Sequence, residues 1–540
     1  MLHQGAGPDG ETYRYVLVKE GTDEIVDQES FDRPGGENTP MNEFYGRSWT
    51  RKYGVRTFEP IVPAKYDRVP SNLHPQDQIP TLHIIGNQDD IDTLHKNYLQ
   101  DIDTHVNVTY ISADQVLSFS DAKFKLGGRA SRLQTKASYN LNLAKHTKLE
   151  GFRKLKIRAM ADDPSYIREK LAMDMLQAAG VPASQSSYIR LFINRQAIGL
   201  FLLEEKYDDS WLQAEFNGGR TPYDNGMLYR GEGAKKDGRR ADLSYHGDDS
   251  QYYAGASYAI KEERDGVNST DAGFKDLVSF IQFLDTELRK DPKTVSLEEW
   301  NEHIDMDSFF TSMAFEFLHS FCNGYLQSTN NWYMYENDST STPPHMVWMS
   351  WDLDSVLGSG YVKYKETITG DYVNFPGMQL RPFTKLAVTA PALRERFGVI
   401  IQMINSGIYD PKISFPVIDS LVDLIEEDVA WDKSLPRIRS GINLIPYLGA
   451  PNFVGNLFNH NATDDSMSLP LSFELVRAVD YFLRVNRPHS VDFREAVEGP
   501  THHSSLTEKD ETVFYSTGNV HASMPSPYFL SEMDGRRAVG

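Results

Sequence analysis

One segment constrains the fold more than any other, residues 322–358, which read CNGYLQSTNNWYMYENDSTSTPPHMVWMSWDLDSVLG. Two aromatic-rich runs, WYMYEN and HMVWMS, flank the polar stretch DSTSTPP, and this arrangement predicts a hairpin of two antiparallel strands. Side chains alternate along a strand, so Asp352 and Asp354, just past the second run, should point to the same side. Asn331 precedes the first run and should lie near Asp352 if the strands pair in simple register.

Side chains with oxygen ligands, of the kind that hard divalent cations prefer, lie at the end of this predicted hairpin. An amide oxygen beside one or two carboxylates suits magnesium or calcium. In protein kinases, an Asn of the catalytic loop and an Asp after the next hairpin hold the metal on ATP. The plainer interpretation is that WDLD is only a polar strand exit capping a turn, because Asp–x–Asp is a common pattern. The spacing alone leaves both interpretations open.

A glycine turn between two further predicted strands gives a second candidate ligand site. In AKFKLGGRASRLQTKASYNLNLAK, Lys136 comes just before the second strand. This is the layout of a nucleotide-covering loop with its phosphate lysine, and equally of any hairpin that contains a lysine. Downstream, the buried strand AIGLFLL ends in Glu204 and Glu205. An acid at that place is either a strand-to-helix cap or a group of the site.

The order of predicted elements indicates an α+β protein, with strands in the first part and mostly helices in the second. We predict a two-lobed fold like that of protein kinases over residues 80–495. Its β-rich N-lobe is expected at about 80–210 and its helical C-lobe at about 211–495. Residues 1–79 are expected to form a short β and loop segment. Residues 496–540 are polar and aperiodic, which predicts a disordered tail.

The net charge of −21 argues against nucleic acid or an anionic membrane as the main partner. A negative surface can still bind a nucleotide through a local pocket that contains a metal. No stretch of about 18 apolar residues occurs, so we expect no transmembrane helix. The chain starts without an apolar signal core and ends without an apolar anchor signal.

Two further sequence features bear on the compartment of the protein. Cys322 is the only cysteine, so no disulfide forms within the chain and the redox compartment stays open. N-glycosylation sequons occur at Asn107, Asn268, Asn337 and Asn461. A chain of this length gathers a few sequons by chance, so they support secretion only weakly.

Six motifs in order resemble the CotH family, the spore-coat-protein-H type of atypical protein kinase, and look closest to its fungal surface-protein branch. They are NEFYGRSWT, GGRASRLQTKASYNLNL, DDPSYIREKLAMDML, INRQAIGLFLLEEKYDDSWL, CNGYLQSTNNWYMY and WDLDSVLG. The resemblance spans roughly residues 40–490. It implies a reduced protein-kinase fold that binds ATP with magnesium and phosphorylates serines of partner coat proteins.

The resemblance also implies roles for individual residues. Lys136 would hold phosphates, and Asn331 and Asp352 would bind the metal. Asp354 would be an accessory acid near the metal. These assignments predict a cofactor set of ATP and Mg²⁺.

Three further positions matter for the expected chemistry. Arg168 and Glu205 would support the site or contact the nucleotide, by the same resemblance. Where the family's catalytic loop carries an Asp, this chain has Asn323, and an amide cannot accept the proton of a substrate hydroxyl. Loss of a general base costs on the order of 10²–10⁴-fold in rate. Asp305 or Glu316 would replace it only if their helix presents them to the pocket.

Three functions therefore remain as hypotheses. The first is a kinase that transfers the γ-phosphoryl group of ATP to a protein serine. The second is a catalytically inactive surface protein that binds a receptor, and the third is a structural coat protein with a relic pocket. All three imply a protein partner and, by resemblance, a secreted, cell-surface or coat location.

Overall fold

The computed structural model describes residues 12–35, 41–128, 130–161, 163, 165–235, 237–264, 266–267, 270–338, 343–357 and 371–438. The strands are β1 (Val16–Val18), β2 (Ile25–Gln28), β3 (Thr81–Gly86), β4 (Asp103–Ile111), β5 (Val116–Leu126), β6 (Tyr139–Asn142), β7 (Lys154–Arg158), β8 (Ser186–Ile193), β9 (Gln196–Glu205), β10 (Leu228–Glu232), β11 (Tyr258–Glu262), β12 (Asn330–Asp338) and β13 (His345–Ser350). The helices are α1 (Gln88–Lys96), α2 (Arg168–Ala178), α3 (Asp209–Phe216), α4 (Ser250–Gly255), α5 (Thr270–Glu287), α6 (Leu297–His303), α7 (Met306–Leu318), α8 (Tyr325–Ser328), α9 (Pro382–Thr389), α10 (Pro391–Gly407) and α11 (Pro411–Ser434).

Seven strands form a closed barrel in the order β3-β4-β5-β6-β7-β9-β8. Neighbours are antiparallel except β3 and β8, whose parallel pairing closes the barrel. Alternate side chains fill the interior because successive residues of a strand point to opposite faces. Members of this interior include Ile84, Val108, Phe124, Leu141 and Phe201.

The hairpin predicted from the aromatic runs is confirmed as β12 and β13, which pair from Trp332↔Ser350 onward. It belongs to a second, four-stranded antiparallel sheet in the order β11-β10-β12-β13. Helix α7, which is buried except at Asp307, packs against β13 and α10. A second apolar core joins this sheet to α2, α5, α7, α9, α10 and α11.

The α+β class agrees with the structure, but the predicted two-lobed, kinase-like fold is wrong. The strands expected in an N-lobe close into a barrel, and β8 returns to pair with β3. The helices in the described part of the chain form no separate second half, since α11 packs directly on β9 of the barrel. Local alternation predicts that a segment is a strand, but it carries no information on which distant strand becomes its neighbour.

Several sequence expectations fall partly or wholly outside the described residues. These are the predicted tail at 496–540 and the sequons at Asn268 and Asn461. The sequon residues Asn107 and Asn337 are described, and both are exposed. In the described ranges, no helix combines the length and the apolar character that crossing a membrane requires.

Candidate functional site

Four of the residues predicted to form a site lie together at the end of the β12–β13 hairpin. The Asn331 amide Nδ2 donates to the backbone oxygen of Asn323 at 3.2 Å. The backbone oxygen of Asn331 in turn accepts a hydrogen bond from the Trp351 N–H at 2.9 Å. Asp352 and Asp354 follow Trp351 directly. The hairpin therefore brings the amides and both carboxylates to one place.

Two of these residues adopt an unusual backbone conformation. Asn331 has φ 53° and Asp352 has φ 58°, both in the left-handed region. Asn and Asp visit this region more readily than other non-glycine residues, at a cost of about 1–2 kcal/mol. Strained positions of this kind cluster at functional sites. At the strand ends, Asp352 reaches Lys156 and Arg158 of the neighbouring barrel, whereas the Asn331 side chain turns to the Asn323 loop.

Basic side chains of β7 hold the two carboxylates. Lys156 Nζ and Arg158 Nη1 each lie 2.8 Å from Oδ1 of Asp352, and Arg158 Nη2 pairs with Asp354. Burial opposes ionisation, yet Arg158 and Lys156 hold the pKa of Asp352 well below its usual range. Burial instead raises the pKa of Asp354. The Asp352 and Asp354 side chains stay 26% and 23% exposed, so a ligand can reach them.

Further charged groups surround these pairs. Arg158 Nε donates to Glu169 of α2 at 2.6 Å, and Lys156 lies 3.6 Å from Glu204. Burial raises the pKa of both Glu169 and Glu204. Arg230 of β10 acts electrostatically on Asp352 from the facing sheet. We call this group the Asp352 cluster: Lys156, Arg158, Glu169, Glu204, Arg230, Asn331, Asp352 and Asp354.

The residues of the cluster fit a magnesium ion. The carboxylates of Asp352 and Asp354 and the amide oxygen of Asn331 are oxygen ligands, and magnesium is commonly held by one or two carboxylates with phosphates and water. No group of three or more His, Cys, Asp or Glu side chains among the described residues is arranged to hold a metal. A metal here would therefore depend on the ligand for part of its coordination.

Lys136 lies outside the cluster. Its Nζ is 2.8 Å from Asp432 of α11 and donates to the backbone oxygen of Leu200. The same nitrogen lies 4.4 Å from the ring centroid of Phe201. Burial lowers the pKa of Lys136 to about 8, although Asp432 acts in the opposite direction. In this conformation Lys136 fastens α11 to the barrel, and its phosphate-binding role stays a prediction.

Arg168 and Glu205 occupy two other places. Arg168 Nη1 donates to Asp163 at 2.6 Å, and its Nε donates to the Leu357 backbone oxygen at 3.1 Å. It therefore supports the turn that follows Asp354. Glu205 points to the opposite face of β9, where it pairs with Arg68.

Of the two adjacent acids that end β9, the structure places Glu204 in the cluster and Glu205 elsewhere. Trp211 Nε1 also donates to Glu205, at 2.8 Å. Although burial opposes ionisation, Arg68 holds the pKa of Glu205 below its usual value. Helix α3 is capped by Asp208, which accepts from the Trp211 N–H at 3.0 Å. Neither acid is therefore the cap of that helix.

The two acids considered as replacements for a catalytic base do not face the cluster. Asp305 caps the start of α7, where it accepts from the Ser308 N–H, about 20 Å of helix away from the Asn323 loop. Glu316 lies under that loop and accepts from the N–H groups of Tyr325 and Leu326, each at 2.8 Å. Both carboxylates therefore accept hydrogen bonds from nearby backbone N–H groups.

Sequence reasoning missed the basic half of the cluster. The signal was present in KLKIR, where Lys154, Lys156 and Arg158 alternate with two apolar residues. Alternation of this kind puts the charges on one face of β7. What it did not show was that β13 ends opposite that face.

Comparison with known proteins identifies a family. The sequence profile of the family described as "CotH kinase protein" matches residues 124–434. That range contains every residue singled out above from the sequence as a site residue, from Lys136 to Asp354.

Curated relatives share much of the chain at low identity. "Spore coat protein homolog 1" of Rhizopus delemar is 23% identical over 443 residues, covering 80% of this chain and 67% of the relative. "Invasin CotH2" of the same fungus is 25% identical over 437 residues, covering 77% and 69%. "Inner spore coat protein H" of Bacillus subtilis is 20% identical over 297 residues, covering 55% and 74%.

Proposed function

The chain belongs to the CotH kinase protein family, and from this premise we propose that it binds ATP with magnesium at the Asp352 cluster. We further propose that the site transfers the γ-phosphoryl group to a serine of a protein partner. The relatives named as spore coat proteins and invasins support a coat or cell-surface location.

One observation carries the proposal: two accessible carboxylates and two buried cations share a single site. Asp352 is ionised because Lys156 and Arg158 both contact it at 2.8 Å. The carboxylates supply ligands for a divalent cation, and the cations supply donors for phosphate oxygens. Phosphoryl transfer depends on positioning and on charge stabilisation, which such a set provides.

The residues of the cluster have separable tasks. Bound magnesium would neutralise charge on the phosphate oxygens. Arg158 orients both Asp352 and Asp354, and Glu169 fixes the Arg158 side chain from α2. Asn323 holds Asn331 through its backbone oxygen but offers no carboxylate to accept the serine proton. We therefore expect turnover about 10²–10⁴-fold below that of a site with a general base.

The test is transfer of labelled γ-phosphate from ATP with magnesium, to a serine-rich substrate and to the protein itself. The native protein should show slow transfer, Asp352→Asn should show none, and Asn323→Asp should be faster. Asp121→Asn is the matched control, because Asp121 has the same φ of 58° but lies on an exposed bend of β5. Absence of transfer by the native protein and by Asn323→Asp would refute phosphoryl transfer.

A second candidate function is binding of a surface receptor without catalysis. The relatives named "Invasin CotH2" and "Invasin CotH3" favour it, as does the amide at position 323. Purified protein labelled with a fluorophore would then bind to host cells. Binding that survives in Asp352→Asn would assign it to a surface separate from the cluster.

A further inference from the structure

The outer face of the barrel next to the Asp352 cluster carries a row of polar side chains. The register aligns Lys125 of β5 with Asn140 of β6, and Asn140 with Lys156 of β7. The alternate residues of these strands, such as Leu126 and Tyr139, fill the barrel interior. Lys125, Asn140 and Lys156 therefore lie side by side on the outer face.

Lys206, which follows β9, extends this row. Its backbone N–H donates to the Lys154 oxygen at 3.2 Å, which places it beside β7. Its Nζ donates to Oδ1 of Asn140 at 3.1 Å. Four lysines thus gather on one small area: Lys125, Lys154, Lys156 and Lys206.

Two of these lysines, Lys154 and Lys156, form ion pairs with acidic residues. Lys154 lies 3.3 Å from Asp208 and 3.2 Å from Glu262, and Lys156 pairs with Asp352. Neither Lys125 nor Lys206 forms an ion pair within the part of the chain that the structure describes.

The environment of Lys206 disfavours its positive charge. Lys206 is partly buried, and its side chain meets a neutral amide rather than a carboxylate. Burial, followed by the charges of Lys156, Lys125 and Lys154, lowers its pKa to about 8. Neighbouring lysines that form no ion pair gain free energy when an anion binds between them.

We propose that Lys125, Lys206 and Asn140 form a binding site for the phosphate groups of a polyphosphate. Lys156 belongs both to this row and to the Asp352 cluster, so the two sites are continuous. When the polyphosphate is the tail of a nucleotide, the inference rests on the function proposed above. An inorganic polyphosphate is the other source of the same chemistry.

This inference assigns the phosphate contacts to lysines other than Lys136. Lys136 already has Asp432 at 2.8 Å and the Leu200 backbone oxygen as partners. Lys125 and Lys206 keep their capacity for charge-assisted hydrogen bonds to an incoming anion.

Calorimetric titration of the full chain with inorganic triphosphate, ATP and adenosine tests the proposal, each with and without magnesium. Native protein should bind triphosphate and ATP but not adenosine. Lys206→Met and Lys125→Met should each weaken triphosphate binding about tenfold, the typical worth of a hydrogen bond to a charged group. Lys123→Met is the control, because Lys123 lies on the same strand face but is paired with Asp103 at 2.7 Å.

The outcomes separate this inference from the proposed function. Triphosphate affinity that is unchanged in Lys206→Met and Lys125→Met overturns the inference, even if ATP binding still requires Asp352. A native protein that binds no triphosphate overturns it as well. Weaker triphosphate binding in Lys206→Met and Lys125→Met, but not in Lys123→Met, supports the inference even if no phosphoryl transfer occurs. ATP binding without triphosphate binding would assign recognition to the nucleoside and contradict the lysine site.

Discussion

At the scale of single residues, Lys136 and Lys206 show how similar side chains take different roles. Burial lowers the pKa of both to about 8. Lys136 has a carboxylate, Asp432, at 2.8 Å, whereas Lys206 donates to the amide of Asn140 and forms no ion pair with any residue that the structure describes. A lysine with a buried ionic partner contributes to the fold, and one without such a partner remains able to bind a ligand.

The two lysines should therefore respond differently to substitution. Lys136→Met leaves Asp432 buried with an incomplete set of partners, and breaking a buried pair costs about 3–5 kcal/mol. Lys206→Met removes a partly buried charge that forms no ion pair in the described ranges, so stability should be unchanged or higher. Urea unfolding monitored by circular dichroism measures the free energy of unfolding of both variants. An equal loss of stability in the two variants would contradict the different roles assigned to Lys136 and Lys206.

Glu316 gives a prediction on pH. Burial raises its pKa to about 8, although the N–H groups of Leu326 and Tyr325 act in the opposite direction. The folded state then holds a proton that the unfolded state releases near pH 4.5. The free energy of unfolding should therefore fall as pH rises from about 4.5 to about 8.

The variant Glu316→Gln isolates this contribution because its amide does not titrate. We expect the difference in free energy of unfolding, native minus variant, to decrease between pH 5 and pH 8. Urea titrations at several pH values measure it. A difference that stays constant with pH would show that Glu316 is ionised throughout.

At the scale of elements, α11 is fastened to the barrel by two buried carboxylates one turn apart. Asp428 accepts from Arg190 at 2.7 and 2.9 Å. Asp432 accepts from the Leu200 N–H at 3.0 Å and from Tyr166 at 2.8 Å. The contacts of Arg190 and Leu200 join the helix to β8 and β9, and that of Tyr166 joins it to the segment before α2.

Gly199 makes the approach of α11 possible. Its φ is +133°, and a Cβ built there would lie 1.8 Å from Oδ1 of Asp432. Gly199→Ala should therefore expel Asp432 and cost about 3–5 kcal/mol, as for a broken buried pair. Gly247→Ala is the control, with φ +93° and no atom within 4 Å of the Cβ position. Equal losses of thermal stability would show that backbone strain alone is responsible.

The elements also show what the sequence could predict. The β12–β13 hairpin and the β8–β9 hairpin across Asn194–Arg195 were predictable because two apolar runs flank a short polar turn. Asn331 and Asp352 are neighbours for the same reason. Lys156 was not predictable as part of the site, because it belongs to a different sheet. No local pattern states that β7 and the end of β13 meet.

At the scale of the whole molecule, closure of the barrel decides where the site lies. The parallel pairing of β3 with β8 joins segments about a hundred residues apart. The outer face of β7 then meets the end of the four-stranded sheet, where Lys156 and Arg158 contact Asp352. Several lysines lie on this face, although the chain as a whole has a net charge of −21. Local positive charge in an acidic molecule directs an anionic ligand to one place.

The central claim is that magnesium and ATP bind together at the Asp352 cluster. Calorimetric titration with ATP, with and without magnesium, tests it most directly on the native protein, Asp352→Asn and the control Asp121→Asn. We predict binding that magnesium strengthens in the native protein and the control, and loss of that strengthening in Asp352→Asn. Equal affinity in all three proteins, or no binding in any, would contradict the claim.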